Sequence, residues 1–245
     1  MRRALSLLPL LGLTLAGSAV AGEPDRSDDA PAPVRATVRV ASGASLTREA
    51  ETGNRTAFDL ETDGTWHPAR AWSVTGAFEG RWHDQGYLSV NPADDGSVGE
   101  PVVVDEGEIR WRLGGGFDLL SLAGQPLDER LDARVGAGVT GLHLVNEAFR
   151  GTGVGPRVAM DAAVRPVQTL SFFGGVGFAP VWGTEATLSV LGVPVAALDA
   201  GLGVGLAFGE ELRFGLDLAW DHDSTWFEHT VRNADGARLG VQAIF

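Results

Sequence analysis

Apolar and polar residues alternate with a period of two along most of this chain. The stretch PVRATVRVA sets Val34, Ala36, Val38 and Val40 against Arg35, Thr37 and Arg39. In AWSVTGAFEGRWH, Trp72, Val74, Phe78 and Trp82 oppose Ser73, Thr75, Glu79 and Arg81. In EIRWRLGGGFDLLSLAG, Ile109, Trp111, Leu113, Phe117 and Leu119 oppose Glu108, Arg110, Arg112 and Asp118. The same alternation runs through Leu131 to Val139, Val154 to Val164, Leu170 to Trp182, Leu198 to Phe208 and Leu212 to Trp220. Successive side chains of a strand point to opposite faces, so each stretch is an extended segment with one apolar and one polar face. With RTAFDLETD and the closing ARLGVQAIF, about ten strands result. Their connections alternate in length. GEE, RPVQ and QPLDE are tight, whereas GTEATLSVLGVP, DHDSTWFEHTVRNADGA and DQGYLSVNPADDGSVGEP are long. Short turns at one end and long loops at the other are the plan of a membrane barrel. The expectation is therefore an all-β chain: a single antiparallel up-and-down transmembrane β-barrel of about ten strands, with eight or twelve as the neighbouring counts.

A soluble sandwich alternates in the same way. Charge separates the two. The polar faces carry both signs at close spacing, and the residues expected to line the lumen are Arg35, Arg39, Glu79, Arg81, Arg110, Arg112, Asp118, Asp132, Arg134, Arg157, Asp161, Arg213 and Asp217. Mixed charges facing one another across a narrow interior pair, which makes their burial tolerable. The apolar faces are almost free of charge, as lipid contact demands, because a cation there costs about 2–4 kcal/mol at mid-membrane. Aromatic residues fall toward strand ends. Trp82, Trp111, Trp182 and Trp220 form one expected girdle; Trp72, with Trp66, Phe172, Phe208, Phe214 and Phe245, forms the other.

The N-terminus adds an export signal. Arg2 and Arg3 precede an apolar run from Ala4 to Ala16, and Ala19-Val20-Ala21 supplies a small-x-small cleavage site. Residues 1–21 read as a signal peptide, 22–33 as a disordered acidic, proline-rich tail, and 34–245 as the barrel. Composition closes other routes. The chain has no cysteine, which excludes a disulfide framework and thiolate zinc sites. Its basic residues are all arginine, and its net charge of −13 leaves no basic stripe for nucleic acid.

Three stretches carry a resemblance. Leu239, Val241, Ala243 and Phe245 alternate up to an aromatic end, which looks like the signal read by the barrel-assembly machinery. FRGTGVGPRVAMDAAV (Phe149 to Val164) and LRFGLDLAWDHDSTWF before the last strand resemble the Legionella major outer membrane protein-like, pore-forming family. Over roughly Glu108 to Phe245 the resemblance implies a small bacterial outer-membrane barrel that forms a pore.

Chemistry is sparse at this level. GLGVGLAFG and GTGVGPR are glycine-rich, but neither joins a parallel strand to a helix, so no nucleotide loop is expected. RWHDQG and WDHDS place histidine beside carboxylates at strand ends, yet adjacent residues point to opposite faces, so His222 turns outward, away from a rim cleft. No catalytic set, metal site or cofactor is expected. Ten strands lie near the size at which side chains fill a barrel. The leading expectation is a monomeric, non-enzymatic outer-membrane barrel acting as a narrow pore or structural protein. Its partners are membrane lipid, lipopolysaccharide, the assembly machinery and small ions or solutes. A rim-active hydrolase, omptin-like or lipid A-modifying, is the first alternative, and a secreted β-sandwich binding protein the second.

Overall fold

Backbone pairing runs round a closed ring in the computed structural model, which describes residues 35–49, 53–69, 71–83, 87–92, 98–104, 106–122, 131–146, 150–184, 193–208, 213–228 and 230–245. The expected signal peptide and acidic tail lie outside these residues. The elements are β1 (Arg35–Glu49), β2 (Gly53–Ala69), β3 (Trp72–His83), β4 (Tyr87–Pro92), β5 (Val98–Val104), β6 (Glu106–Asp118) and the one-turn α1 (Leu119–Leu122). They continue with β7 (Leu131–Asn146), β8 (Arg150–Val167), β9 (Leu170–Pro180), β10 (Trp182–Thr184), β11 (Pro194–Phe208), β12 (Phe214–Phe227) and β13 (Val231–Ile244). Eleven strands pair in one sheet, and β9 and β10 are a single stave interrupted at Val181, which leaves ten staves. Each pairs antiparallel with its neighbours, and β1 pairs with β13 to close the ring. The separate β4–β5 hairpin follows β3 at the far end.

Closure removes the two exposed edges that an open sheet would present. At the end carrying the first and last described residues, Phe245 N–H donates to Ala36 C=O at 2.8 Å and Ala36 N–H donates to Phe245 C=O at 3.2 Å. Leu239, Val241, Ala243 and Phe245 share the outward face of this closing seam.

The outward face is apolar on every long stave. Val38, Val40, Phe78, Leu113, Val135, Val158, Met160, Phe172, Val176, Leu202, Leu206, Leu216 and Leu218 are all exposed there. From Leu198 to Phe208 this row covers roughly 33 Å at about 3.3 Å per residue, or roughly 25 Å along the axis for strands tilted about 40°. That matches the hydrocarbon band of a membrane barrel. No soluble fold of this size leaves such a continuous belt uncovered. The wall spans a membrane.

Aromatic pairs mark the limits of the belt. Trp72 meets Phe117 edge-on at 4.7 Å, and Phe208 stacks with Phe214 at 6.2 Å, both at the terminal end. Phe58 stacks with Trp82 at 6.2 Å at the opposite, loop end. Trp111 departs from the expected girdle. Trp82 is in register with Gly107, four residues before Trp111, so Trp111 lies roughly 13 Å further along the strand and roughly 10 Å deeper in the belt. Two glycines make room for these rings: a side chain at Gly80 would strike the Trp82 indole, and one at Gly141 the Trp111 indole.

Other expectations shift as well. Leu119, assigned to a strand face, begins α1. The stretch from Asp221 to Ala237 is not one long loop. β12 continues to Phe227, Phe227 N–H donates to Thr230 C=O, and β13 begins at Val231. Thr225, Trp226 and Val231 favour strand, and cross-strand pairing outweighs the turn-forming Asp and Asn residues in this stretch.

The belt sets a first test. Val158, mid-way along β8, is 59% exposed. Val158→Arg should lower the unfolding free energy in lipid vesicles by about 2–4 kcal/mol. Arg at the inward-facing Ala159 should cost less, because it enters a polar lumen; denaturant titration followed by tryptophan fluorescence reads both.

Candidate functional site

Inward positions place the charges of eight staves in one ion-pair network. Arg39 on β1 bonds Asp217 on β12 at 2.7 Å, Glu61 on β2 at 3.0 Å and Asp63 at 3.1 Å. Glu61 also receives Arg238 of β13 at 2.7 Å and Arg112 of β6 at 2.9 Å. Arg238 reaches Glu79 of β3 at 2.6 Å. Arg81 joins Asp59 and Asp223, each at 2.7 Å. Arg110 joins Glu108 at 3.0 Å, Thr225 at 3.2 Å and Asp223 at 2.8 Å. Arg157 of β8 bonds Asp199 of β11 at 2.6 Å.

The Arg110–Asp223 contact decides the character of the interior. β6 and β12 are five staves apart in either direction round the ring. A 2.8 Å bond between them crosses a full diameter. Arg81, Arg110, Glu79, Glu108 and Asp223 are almost wholly buried around it. The lumen is bridged there by side chains in direct contact. Toward the terminal end the filling loosens into a cavity of about 390 Å³, lined by Arg39, Asp63, Arg112, Arg157, Asp161 and Asp199 among others.

Such a network survives burial only because each charge is met. Removing a carboxylate or guanidinium from water is costly, and the cost is returned by close opposite charges with good hydrogen-bond geometry. Arginine suits this task better than lysine. Its planar fork donates in several directions at once, as Arg39 does to three carboxylates.

No protein-family model matches this chain, and no curated protein matches it. Solved structures that it resembles are outer-membrane barrels. The β domain of the Bordetella autotransporter Brka is 14% identical with a TM-score of 0.46, over 86% of this chain and 99% of that one. The translocator domain of an autotransporter from Neisseria meningitidis is 13% identical with a TM-score of 0.42, over 86% and 88%. An outer membrane channel from Pseudomonas putida F1 is 10% identical with a TM-score of 0.40, over 91% and 100%. At these identities and scores the likeness does not extend to residues or activities.

Of the lumen residues expected from sequence, Arg39, Glu79, Arg81, Arg110, Arg112, Arg157 and Asp217 meet in the network. Asp132 and Arg134 pair with each other nearer the terminal end, where Arg134 also lies 3.4 Å from His67. Asp118 is buried at that end. Arg35 opens β1 opposite His67 in register. Asp161 lines the cavity but is not part of the bridge. Arg213 differs: it precedes β12 and is exposed at the rim, because β12 begins only at Phe214. Asp223 and Arg232 were not among the expected lumen residues. Both lie in the stretch expected to be a loop, and only the continuation of β12 and β13 carries them inside. Arg232 sits 3.7 Å from Glu108 and 5.6 Å from the centre of the Phe227 ring.

The rim histidines separate. His83 points inward and its Nε2 lies 3.0 Å from Thr47 Oγ1. His222 points outward, as its spacing implied, but it is not alone there. Ser224 and Asp235 lie on either side of its ring.

Asp223 is the shared acceptor of the bridge. Asp223→Ala takes one carboxylate from both Arg81 and Arg110, which keep Asp59 and Glu108, and should destabilise the barrel by up to about 3–5 kcal/mol. Removing the more peripheral Asp132 should cost less than about 1 kcal/mol, as for a partly solvated pair. Urea titrations in vesicles measure the difference.

Proposed function

We propose that this chain is an integral protein of the bacterial outer membrane, anchored as a barrel whose lumen is closed rather than held open for diffusion. The 2.8 Å Arg110–Asp223 contact across the diameter carries this reading. A diffusion pore needs a continuous water-filled path, and ten staves enclose a lumen that side chains can fill. In this orientation the end with both described termini faces the periplasm, and the β4–β5 hairpin faces the exterior. Membrane lipid and lipopolysaccharide are the partners of the belt, and the barrel-assembly machinery is a partner during insertion, with Leu239, Val241, Ala243 and Phe245 presenting their outward row to it. Nucleic acid is no partner in this reading, and the lumen is not an active site. The resemblance of Phe149 to Val164 to a pore-forming family supports conduction at the level of sequence; the bridge weighs against it.

Planar-bilayer recording tests the choice. The purified barrel should show no regular conductance steps, whereas Arg110→Ser with Asp223→Ser should produce small ones by removing the bridge. Regular steps from the unaltered chain would sink the closed-lumen reading and restore the pore. A folded barrel should also migrate faster than its boiled form on a gel, which checks the architecture separately.

A further inference from the structure

The outer wall changes chemistry at a single level on β12 and β13. On β12 the outward row Phe214, Leu216, Leu218 and Trp220 gives way to His222 and Ser224. On β13 the row Val241, Leu239 and Ala237 gives way to Asp235 and Asn233. The register pairs Trp220 with Ala237, His222 with Asp235 and Ser224 with Asn233, so both strands turn polar together. Nδ1 of His222 lies 2.9 Å from Asp235 Oδ1, and Nε2 lies 3.0 Å from Ser224 Oγ. As placed, Ser224 Oγ–H donates to Asn233 Oδ1 at 2.6 Å. The Trp220 ring stacks on the imidazole, with centroids 6.1 Å apart and planes at 20°. Arg48 of β1 approaches the other carboxylate oxygen of Asp235 at 3.6 Å.

Cross-strand pairing by itself accounts for His222 with Asp235. It does not account for a serine at the second ring nitrogen. For a neutral imidazole the donors run one way: Nδ1–H to Asp235, Ser224 O–H to Nε2, and the Asn233 amide, turned so that Nδ2 faces Ser224, to Oγ. That is the arrangement in which a base is held by a carboxylate and aimed at a hydroxyl. We propose that Ser224, His222 and Asp235 form an esterase site on the outer wall, acting on acyl esters of the anionic amphiphiles around the barrel.

The location selects the substrate class. The site lies one register step beyond Trp220, at the boundary between chains and headgroups, where the ester bonds of membrane amphiphiles lie. The exposed Arg48 offers a cation to a phosphate beside the ester. His222 and Asp235 side chains are 31% and 25% exposed, whereas Ser224 is 5% exposed, so an entering ester must displace what covers the hydroxyl.

The chemistry balances with water as the only co-reactant. Ser224 Oγ attacks the ester carbonyl while its proton passes to His222 Nε2. The C–O bond to the headgroup alcohol breaks, and that alcohol leaves with the proton from Nε2. Water then attacks the acyl-serine, gives a proton to Nε2, and the fatty acid departs as Ser224 recovers the proton. Asp235 is a positioning residue that holds the ring and supports its positive charge.

The proposal needs a lipid-facing wall but not a closed lumen, so the two readings fail separately. The full chain is refolded in detergent and mixed with phosphatidylglycerol in one arm and lipopolysaccharide in the other. Fatty acid release is followed by mass spectrometry. Release should occur in at least one arm, and the arm identifies the source. Ser224→Ala and His222→Gln should lower it by at least about 100-fold. Asp235→Asn should lower kcat with KM unchanged, which a merely structural role would not do. A fluorophosphonate probe should label Ser224 in the unaltered chain and not in His222→Gln, a readout independent of how the serine variant folds. Protein that migrates as a folded barrel, yet releases no fatty acid in either arm and takes no label on Ser224, would overturn the proposal.

Discussion

Everything in this molecule depends on a backbone with no exposed edge. Inside hydrocarbon an unpaired N–H or C=O has no water to turn to and costs several kcal/mol. A sheet meets that demand only by pairing its last strand with its first, and β13 does so with β1 over thirteen register positions from Thr37 to Glu49. Once the ring is closed, period two dictates the rest. One face of each stave belongs to lipid and the other to the lumen, and no residue can belong to both.

Ring size then fixes what the inward face must be. Ten staves are too few for a wide aqueous channel and too many for aliphatic side chains on a narrow axis to be the natural filling. The chain fills the space with long arginines and carboxylates that reach across it. The arrangement is graded. It is dense where Arg81, Arg110, Arg232 and Asp223 meet, and loose around Asp161 and Asp199, where glycines at 174, 175 and 201 line the wall. The same arginines that would make a conducting pore selective here form its obstruction, because each is held by carboxylates from more than one stave.

Much of this was legible as pattern. Alternation located all ten staves, and mixed charge told the lumen from the lipid face. What failed was length. Asp221 to Ala237 has the composition of a loop, with Asp, Asn, Gly and Ser through it, and composition cannot report that two loop-like arms will pair. Once they do, Asp223 enters the lumen, Arg232 follows, and His222 faces Asp235 rather than solvent. From the sequence, His222 faces outward and no serine stands in a lipase-like or deacylase-like arrangement with histidine, because neighbours in sequence sit on opposite faces. Its partners are the next residue but one and a residue thirteen positions away. The His-x-Ser spacing was visible; the register that brings Asp235 to the other side of the ring was not. Arg213 and Trp111 moved for the same reason: strand ends and levels are set by pairing partners, which one strand's own residues do not specify.

The β12–β13 hairpin joins two jobs through parity. Asp223 and Arg238 look into the lumen, while His222, Ser224, Asn233 and Asp235 look out, as alternate residues of the same two strands. A slip of β13 by a single position would send Arg232 and Arg238 toward the acyl chains and draw Asp235 and Asn233 inside. Interior and exterior are therefore inherited together. Insertions and deletions of one residue in this hairpin are closed to drift, while changes of two residues keep every side chain on its own side and merely slide it along the wall.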